Sequence, residues 1–414
     1  MDMNLNHSLE KYAELAVEVA VNLQPGQELW IQAPIHSPEL VRLISRKAYE
    51  KGAFQVHIEW VDEASTKLMY ELAPEEGLRE FPRWKVQAYE EIAEKNGAFL
   101  FIQSSDPELL RSIDPRRVAL RSKASGEALK KWEDYEVSYK MTWSIIAVPS
   151  LAWARKVYPE LTPEEAVNSL WQAIFRSVRI DQPEPVQAWH NHNEALRRQR
   201  ELLTAKQYRR LHYRASGIEL TVELPDSHIW RGGVADNEQG HAFNPNVPTE
   251  EVFVTPHREG TTGVVRSTKP LSYRGSLINN FTLRFEQGRV VDFEAEEGYE
   301  ALKSILDMDE GARYLGEIAL VPHSSPISGE NLIFYNTLFD ENASCHLALG
   351  RGFASSLENG RLLSNEQLAA AGINQSLVHV DFMIGSASMD IDGETRDGRI
   401  EPIFRSGAWV LKED

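Results

Sequence analysis

The chain has one cysteine, Cys345, in 414 residues. That excludes an intrachain disulfide and any thiolate cluster supplied by this chain, so a metal ion here has to be held by histidine and carboxylate. Positive charge is also scarce: 44 Lys and Arg face 62 Asp and Glu, a net charge of −18. Proteins bind phosphate backbones mainly by replacing counterions with Lys and Arg, so nucleic acid is not expected as a partner. No stretch reaches the roughly 20 apolar residues of a membrane span. The N-terminal MDMNLNHSLEKYAELAVEVAV carries acids and amides where a targeting segment would carry basic residues, and a cytoplasmic protein is expected. There is no G-x-G-x-x-G and no Walker pattern, so no nucleotide site is expected.

What is present describes a globular protein, 42% apolar and 26% charged. At 47.0 kDa it is long enough for two cores. Residues 1–205 alternate helical and strand patterns. A helix is expected from Ser8, as N-cap, to Leu23. The strand runs ELWIQAP, FQVHIEW, AFLFIQSS and MTWSIIAVP follow, with helices opening at Ser37-Pro38 and Thr162-Pro163 and a long charged helix over 182–210. This predicts an α/β scaffold domain around a mostly parallel sheet. From about Tyr213 the texture changes to short strands broken by Gly, Asn and Asp, including NLIFYNTLF and turns at Asp392-Gly393 and Asp397-Gly398. Residues 206–414 are therefore expected to form a mixed, mainly antiparallel β domain, and to carry the chemistry.

Four segments there bring a His, Asp or Glu to the edge of an apolar run. In VHVDFMIG, His379 and Asp381 are two apart, so in a strand both point to one face, about 7 Å from each other. A buried His–Asp hydrogen bond without metal is the competing explanation. EEVFVTP and GEIALVP place Glu251 and Glu317 in strand patterns where a lone ionised carboxylate is costly to bury; either a cation or a salt bridge offsets that cost. FYNTLFDENASCHLALG gathers Asp340, Glu341, Asn342, Cys345 and His346. Adjacent Cys345 and His346 diverge, which disfavours a thiol nucleophile paired with its neighbour. His190 and His192 lie on different faces of a helix and read as solvated surface, and MDIDG reads as an acidic hairpin tip without the spacing of a calcium loop. Taken together, the four segments point to a two-metal hydrolase site.

FNPNVPTEEVFVTPHREGTTGVVRSTKPL, LGEIALVP, NTLFDENASCHLALG, HVDFMIGSASMDIDG and PIFRSGAW resemble the aminopeptidase T and aminopeptidase S family of metallo-aminopeptidases. The resemblance implies a cytoplasmic homodimer that releases N-terminal residues from peptides with a free N-terminus. It implies two divalent ions (zinc, cobalt, magnesium or manganese) held by Glu251, Glu317, Glu341, His346, His379 and Asp381, with Glu317 as the bridge. Where the family pattern has an active-site tyrosine, this chain has Phe353, in GRGF. A phenyl ring can neither donate a hydrogen bond nor deliver a proton. A phosphoesterase-like two-metal hydrolase and a weakly active or non-catalytic relative are the alternatives. The sequence assigns no general base.

Overall fold

The computed structural model describes residues 3–104, 106–273 and 276–412. It is a mixed α/β structure that separates into two compact units, Met1–Asn193 with Val234–Pro248, and Glu194–Gly233 with Thr249–Asp414. The division falls inside the helix Pro185–Lys206; the boundary expected at residue 205 lies in the last turn of the same helix.

The first unit is built on four parallel strands, β1 (Glu28–Pro34), β2 (Gln55–Val61), β3 (Ala98–Gln103) and β4 (Thr142–Ala147), in the order β2-β1-β3-β4. The central strands β1 and β3 are almost continuously buried and the edge strand β2 is not, as expected of a sheet covered on both faces. Thr162 and Glu165 form a reciprocal capping box ahead of the helix Pro163–Ser177. The first helix begins by Met3, so Ser8 lies inside it rather than capping it. It passes into a π-helical turn over Ala16–Ala20, where small and β-branched residues are buried. A two-residue ribbon of β7 (Ala235–Asp236) with β8 (Ala242–Phe243) completes this unit.

The second unit holds two antiparallel sheets. The larger follows β11 (Leu271–Tyr273), β12 (Ser276–Glu286), β10 (Thr261–Arg266), β6 (Ile218–Glu223), β5 (Arg210–Ala215), β17 (Asp390–Glu394), β18 (Ile400–Arg405) and β19 (Ala408–Trp409), with β13 (Arg289–Glu297) on β12. The smaller runs β16 (His379–Met383), β15 (His346–Gly350), β14 (Leu315–Leu320) and β9 (Val252–Val254). Between them lies one continuous core that includes Tyr213, Leu283, Phe285, Ile318, Leu347 and Phe382.

Two local expectations are corrected. MDIDG is no hairpin tip: Asp390–Glu394 is β17, paired on both sides by β5 and β18. Gly393 marks a packing contact, because a Cβ there would stand 2.7 Å from the Tyr208 ring. The turn is at Asp397-Gly398, where Gly398 takes φ +86°. NLIFYNTLF forms no strand either; Asn336 caps a short helix, Thr337–Asp340, by accepting a hydrogen bond from the Leu338 N–H, and local capping overrides the apolar pattern.

Candidate metal centre

The smaller sheet of the second unit sets the site through its register. Ala348 of β15 stands opposite Glu317 on one side and Asp381 on the other, His346 opposite Ala319 and Met383, and Gly350 opposite His379. Cross-strand neighbours share a face, so Glu317, His346, His379 and Asp381 converge over a floor of Ala319, Ala348 and Gly350, residues small enough to leave room above them. The alternate residues Ile318, Leu320, Leu347, Leu349, Val380 and Phe382 are buried on the opposite face. A bulge between Leu315 and Glu317 sets the aim of Glu317. It needs Gly316, since a Cβ there would lie 2.3 Å from the Arg351 carbonyl oxygen.

Glu251 arrives immediately before β9, with its Oε2 3.0 Å from His346 Nε2. His379 Nε2 is 3.0 Å from Glu317 Oε2 and 3.4 Å from Asp381 Oδ1. Ligand atoms of Glu251, Glu317 and His346 lie within 4.8 Å of one another, and so do those of Glu317, His379 and Asp381. Glu317 belongs to both triads. Glu341 stands outside them, in the 3-10 turn Glu341–Ala343. It lines, with Asp381, a small open cleft whose walls include Leu271, Tyr335, Thr337 and Met383.

Both imidazoles are held from behind. Nδ1 of His346 lies 3.1 Å from the Ser344 carbonyl and Nδ1 of His379 lies 2.7 Å from the Arg351 carbonyl. A carbonyl only accepts, so Nδ1 carries the proton and Nε2 is the nitrogen turned to the carboxylates. This is how histidine is oriented as a metal ligand.

The charge balance tells the same story. Burial raises the Glu317 carboxyl to about 7, against the pull of His379. Burial and the charges of Asp381 and Glu251 hold Glu341 well above the carboxylate range. Burial disfavours the imidazolium of His346, yet Glu251, Asp381 and Glu317 outweigh it and lift the ring to about 10; His379 is raised for the same reason by Asp381 and Glu317. Asp381 pays for burial too, but His379 and His346 bring it below the usual range. With no cation supplied, protons collect on Glu317, on Glu341 and on both rings. Divalent cations neutralise such a donor set without protons, so these residues fit a metal site, as a set of nitrogen and oxygen ligands.

Within the acidic cluster, the sequence did not tell the positioning residues from the candidate ligands. Asn342 is fully buried; its Oδ1 accepts the Glu250 N–H at 2.7 Å and its Nδ2 donates to the Leu338 carbonyl, tying the segment before β9 to the turn that carries Glu341. Asp340 accepts the N–H groups of Phe334 and Asn336, and burial pushes its carboxyl up to about 6. Cys345 is a buried thiol, raised to about 12 by burial and hydrogen-bonded to Val321. His192 contacts Arg179 and the Trp189 ring, and neither it nor His190 belongs to a candidate metal cluster among the described residues. Phe353 packs on the imidazole of His379, ring centres 4.8 Å apart, and edge-on to Phe253. Of the tyrosines near the motifs, Tyr335 lines the cleft, whereas Tyr314 lies under the Arg258 guanidinium.

The chain is 54% identical to aminopeptidase 2 of Geobacillus stearothermophilus over 404 residues, 98% of either protein. It is 49% identical to aminopeptidase AmpS of Bacillus subtilis, over 99% of this chain and 100% of that one. The solved structure of wild-type AmpT from Thermus thermophilus superposes with a TM-score of 0.92 at 42% identity, covering 98% of this chain and 99% of that one. The family described as thermophilic metalloprotease (M29) matches residues 5–409. A clustered His and carboxylate donor set, in a fold shared end to end with these proteins, places the chain in the M29 family of metalloproteases.

Proposed function

We propose that this protein is an aminopeptidase that works with two divalent ions. The observation that carries the reading is the position of Glu317, common to two triads of ligand atoms. In this reading Glu251, Glu317 and His346 hold one ion, Glu317, His379 and Asp381 hold the other, and Glu341 adds its carboxylate at the edge of the cleft. Two such ions, when bound, polarise a scissile carbonyl and make water a nucleophile near neutral pH. The donor set does not select among zinc, cobalt, magnesium and manganese.

The chain's own residues do the rest. The acidic rim of Glu341 and Asp381 attracts the substrate's α-ammonium, and the cleft walls Leu271, Tyr335 and Met383 receive the first side chain. Tyr335 brings a phenol to the cleft, a group that Phe353 lacks. The same reading has the protein act as a cytoplasmic homodimer on peptides with a free N-terminus. A phosphoesterase reading gains nothing from the nearby arginines. Arg258 lies over Tyr314, Arg266 reaches Glu296, and Arg351 offers the site its backbone carbonyl.

The test compares one peptide with a free N-terminus and its N-acetylated form, using protein stripped by chelator and titrated with each ion. Cleavage of the free form alone, saturating at two ions per chain, is the expected result. Equal cleavage of both forms points to an endopeptidase, and saturation at one ion refutes the shared Glu317.

A further inference from the structure

The parallel sheet of the first unit has the order β2-β1-β3-β4. The chain leaves β1 for one side and returns on the other, so the carboxyl ends of β1 and β3 flank the topological switch point. Ligands of open α/β sheets bind in that crevice. His36 follows β1 there and Ser104 follows β3, with His36 Nε2 2.9 Å from Ser104 Oγ. Ser104 is only 5% exposed, while His36 reaches solvent with its ring partly covered.

The ring is prepared as a base. Burial lowers the basicity of His36, against a hydrogen bond with the Pro149 backbone. In the tautomer that carries its proton on Nδ1, the Nε2 lone pair faces the Ser104 hydroxyl, the arrangement of an activated serine. The helix Pro38–Glu50 opens just after His36, and Ser37 makes no capping hydrogen bond to it, its hydroxyl donating instead to the Pro34 carbonyl. Pro38 has no N–H, so the first amides that helix offers are those of Glu39 and Leu40, donors of the kind that stabilise an acyl oxygen.

The surroundings select the substrate. Ile35, next to His36, and Leu151, two residues after Pro149, are 57% and 51% exposed and offer apolar contact to an acyl chain. Glu63 accepts the Asp106 N–H at 3.0 Å, putting two carboxylates beyond the ends of β2 and β3 that repel anionic esters.

We propose that His36 and Ser104 form a second, metal-independent site that hydrolyses neutral esters of short apolar acids. Ser104 Oγ bonds to the acyl carbon and passes its proton to His36 Nε2. That proton leaves with the alkoxide as the alcohol breaks away. Water then gives a proton to Nε2 and adds to the acyl carbon, and collapse returns the proton to Ser104 Oγ with release of the carboxylic acid. The balance is ester plus water to acid plus alcohol.

The experiment uses the full chain in excess chelator, with p-nitrophenyl butyrate as substrate and a fluorophosphonate probe read by peptide mass. Wild type is expected to turn over the ester and to carry the probe on Ser104. Ser104→Ala loses both, and His36→Gln loses turnover by at least ~100-fold, while both variants keep metal-restored peptidase activity, which reports that they fold. No label on Ser104 in the wild type overturns the proposal without recourse to a variant. Ester turnover that Ser104→Ala leaves unchanged overturns it as well.

Discussion

Replacing Glu317 by glutamine has opposite consequences for metal binding and for the stability of the metal-free protein. The carboxyl belongs to both candidate ligand triads, so an amide in its place should weaken both proposed ion sites, by 100-fold or more if first ligands matter at least as much as the outer partners that typically cost about 10- to 100-fold. Burial also raises this carboxyl from 4.5 to about 7. Because the folded-state value lies above the unfolded one, the group's stabilising contribution is complete below pH 4.5 and is lost as pH rises through about 7. At about 1.4 kcal/mol per pH unit, ionised Glu317 costs the metal-free fold at most roughly 3 kcal/mol at pH 8. His379 keeps Asp381 as a partner in the variant, which limits the offsetting loss. Metal-free Glu317→Gln should therefore melt above the metal-free wild type at pH 8 and with it near pH 4.5. Added ion should raise the wild-type melting temperature by mass action and move the variant far less. The assay is thermal unfolding of chelator-stripped proteins across pH, with metal affinity from calorimetry. Unchanged metal affinity, or a variant less stable at pH 8 than at pH 4.5 relative to wild type, refutes the reasoning.

His379→Ala and Asp381→Ala should each abolish metal-dependent hydrolysis while circular dichroism stays native, because the core under β16 is made by Val380 and Phe382 on the other face; wild-type turnover in either refutes their role. Phe353→Tyr should raise kcat, by roughly 10²- to 10³-fold if the hydroxyl reaches the tetrahedral oxyanion, since its ring already lies on His379. Single-turnover rates at saturating metal decide it. Gly316→Ala should destabilise the fold by about 1 to 3 kcal/mol and weaken metal binding by turning Glu317, readable by denaturant midpoint and calorimetry; a neutral outcome removes the bulge from the argument. Half-buried Glu136, whose carboxyl burial and Glu133 raise to about 7, should make Glu136→Gln the more stable protein above pH 7 and an equal one below pH 4.5. Equal stability of the two at pH 8 refutes that assignment.

The sequence by itself determined which residues face which way. Alternation in VHVDFMIG puts His379 and Asp381 together and Val380 and Phe382 against the core, and both outcomes hold in the structure. The near-continuous apolar runs of β1 and β3 likewise foretold a parallel sheet buried on both faces. Local periodicity carries that much because strand geometry is local. It carries nothing about which strand pairs with which, so the alignment of Glu317, Ala348 and Asp381 across three strands came only with the register. The tertiary structure also decided what Gly393 is for. Beside Asp392 it has the signature of a turn, yet the Tyr208 ring over its Cα holds it inside β17. Asn342 and the bulge at Gly316 stayed illegible for the same reason: their value lies in contacts with Glu250 and Arg351, residues remote in the chain. His36 and Ser104, 68 residues apart, meet only because the β2-β1-β3-β4 order makes neighbours of the ends of β1 and β3.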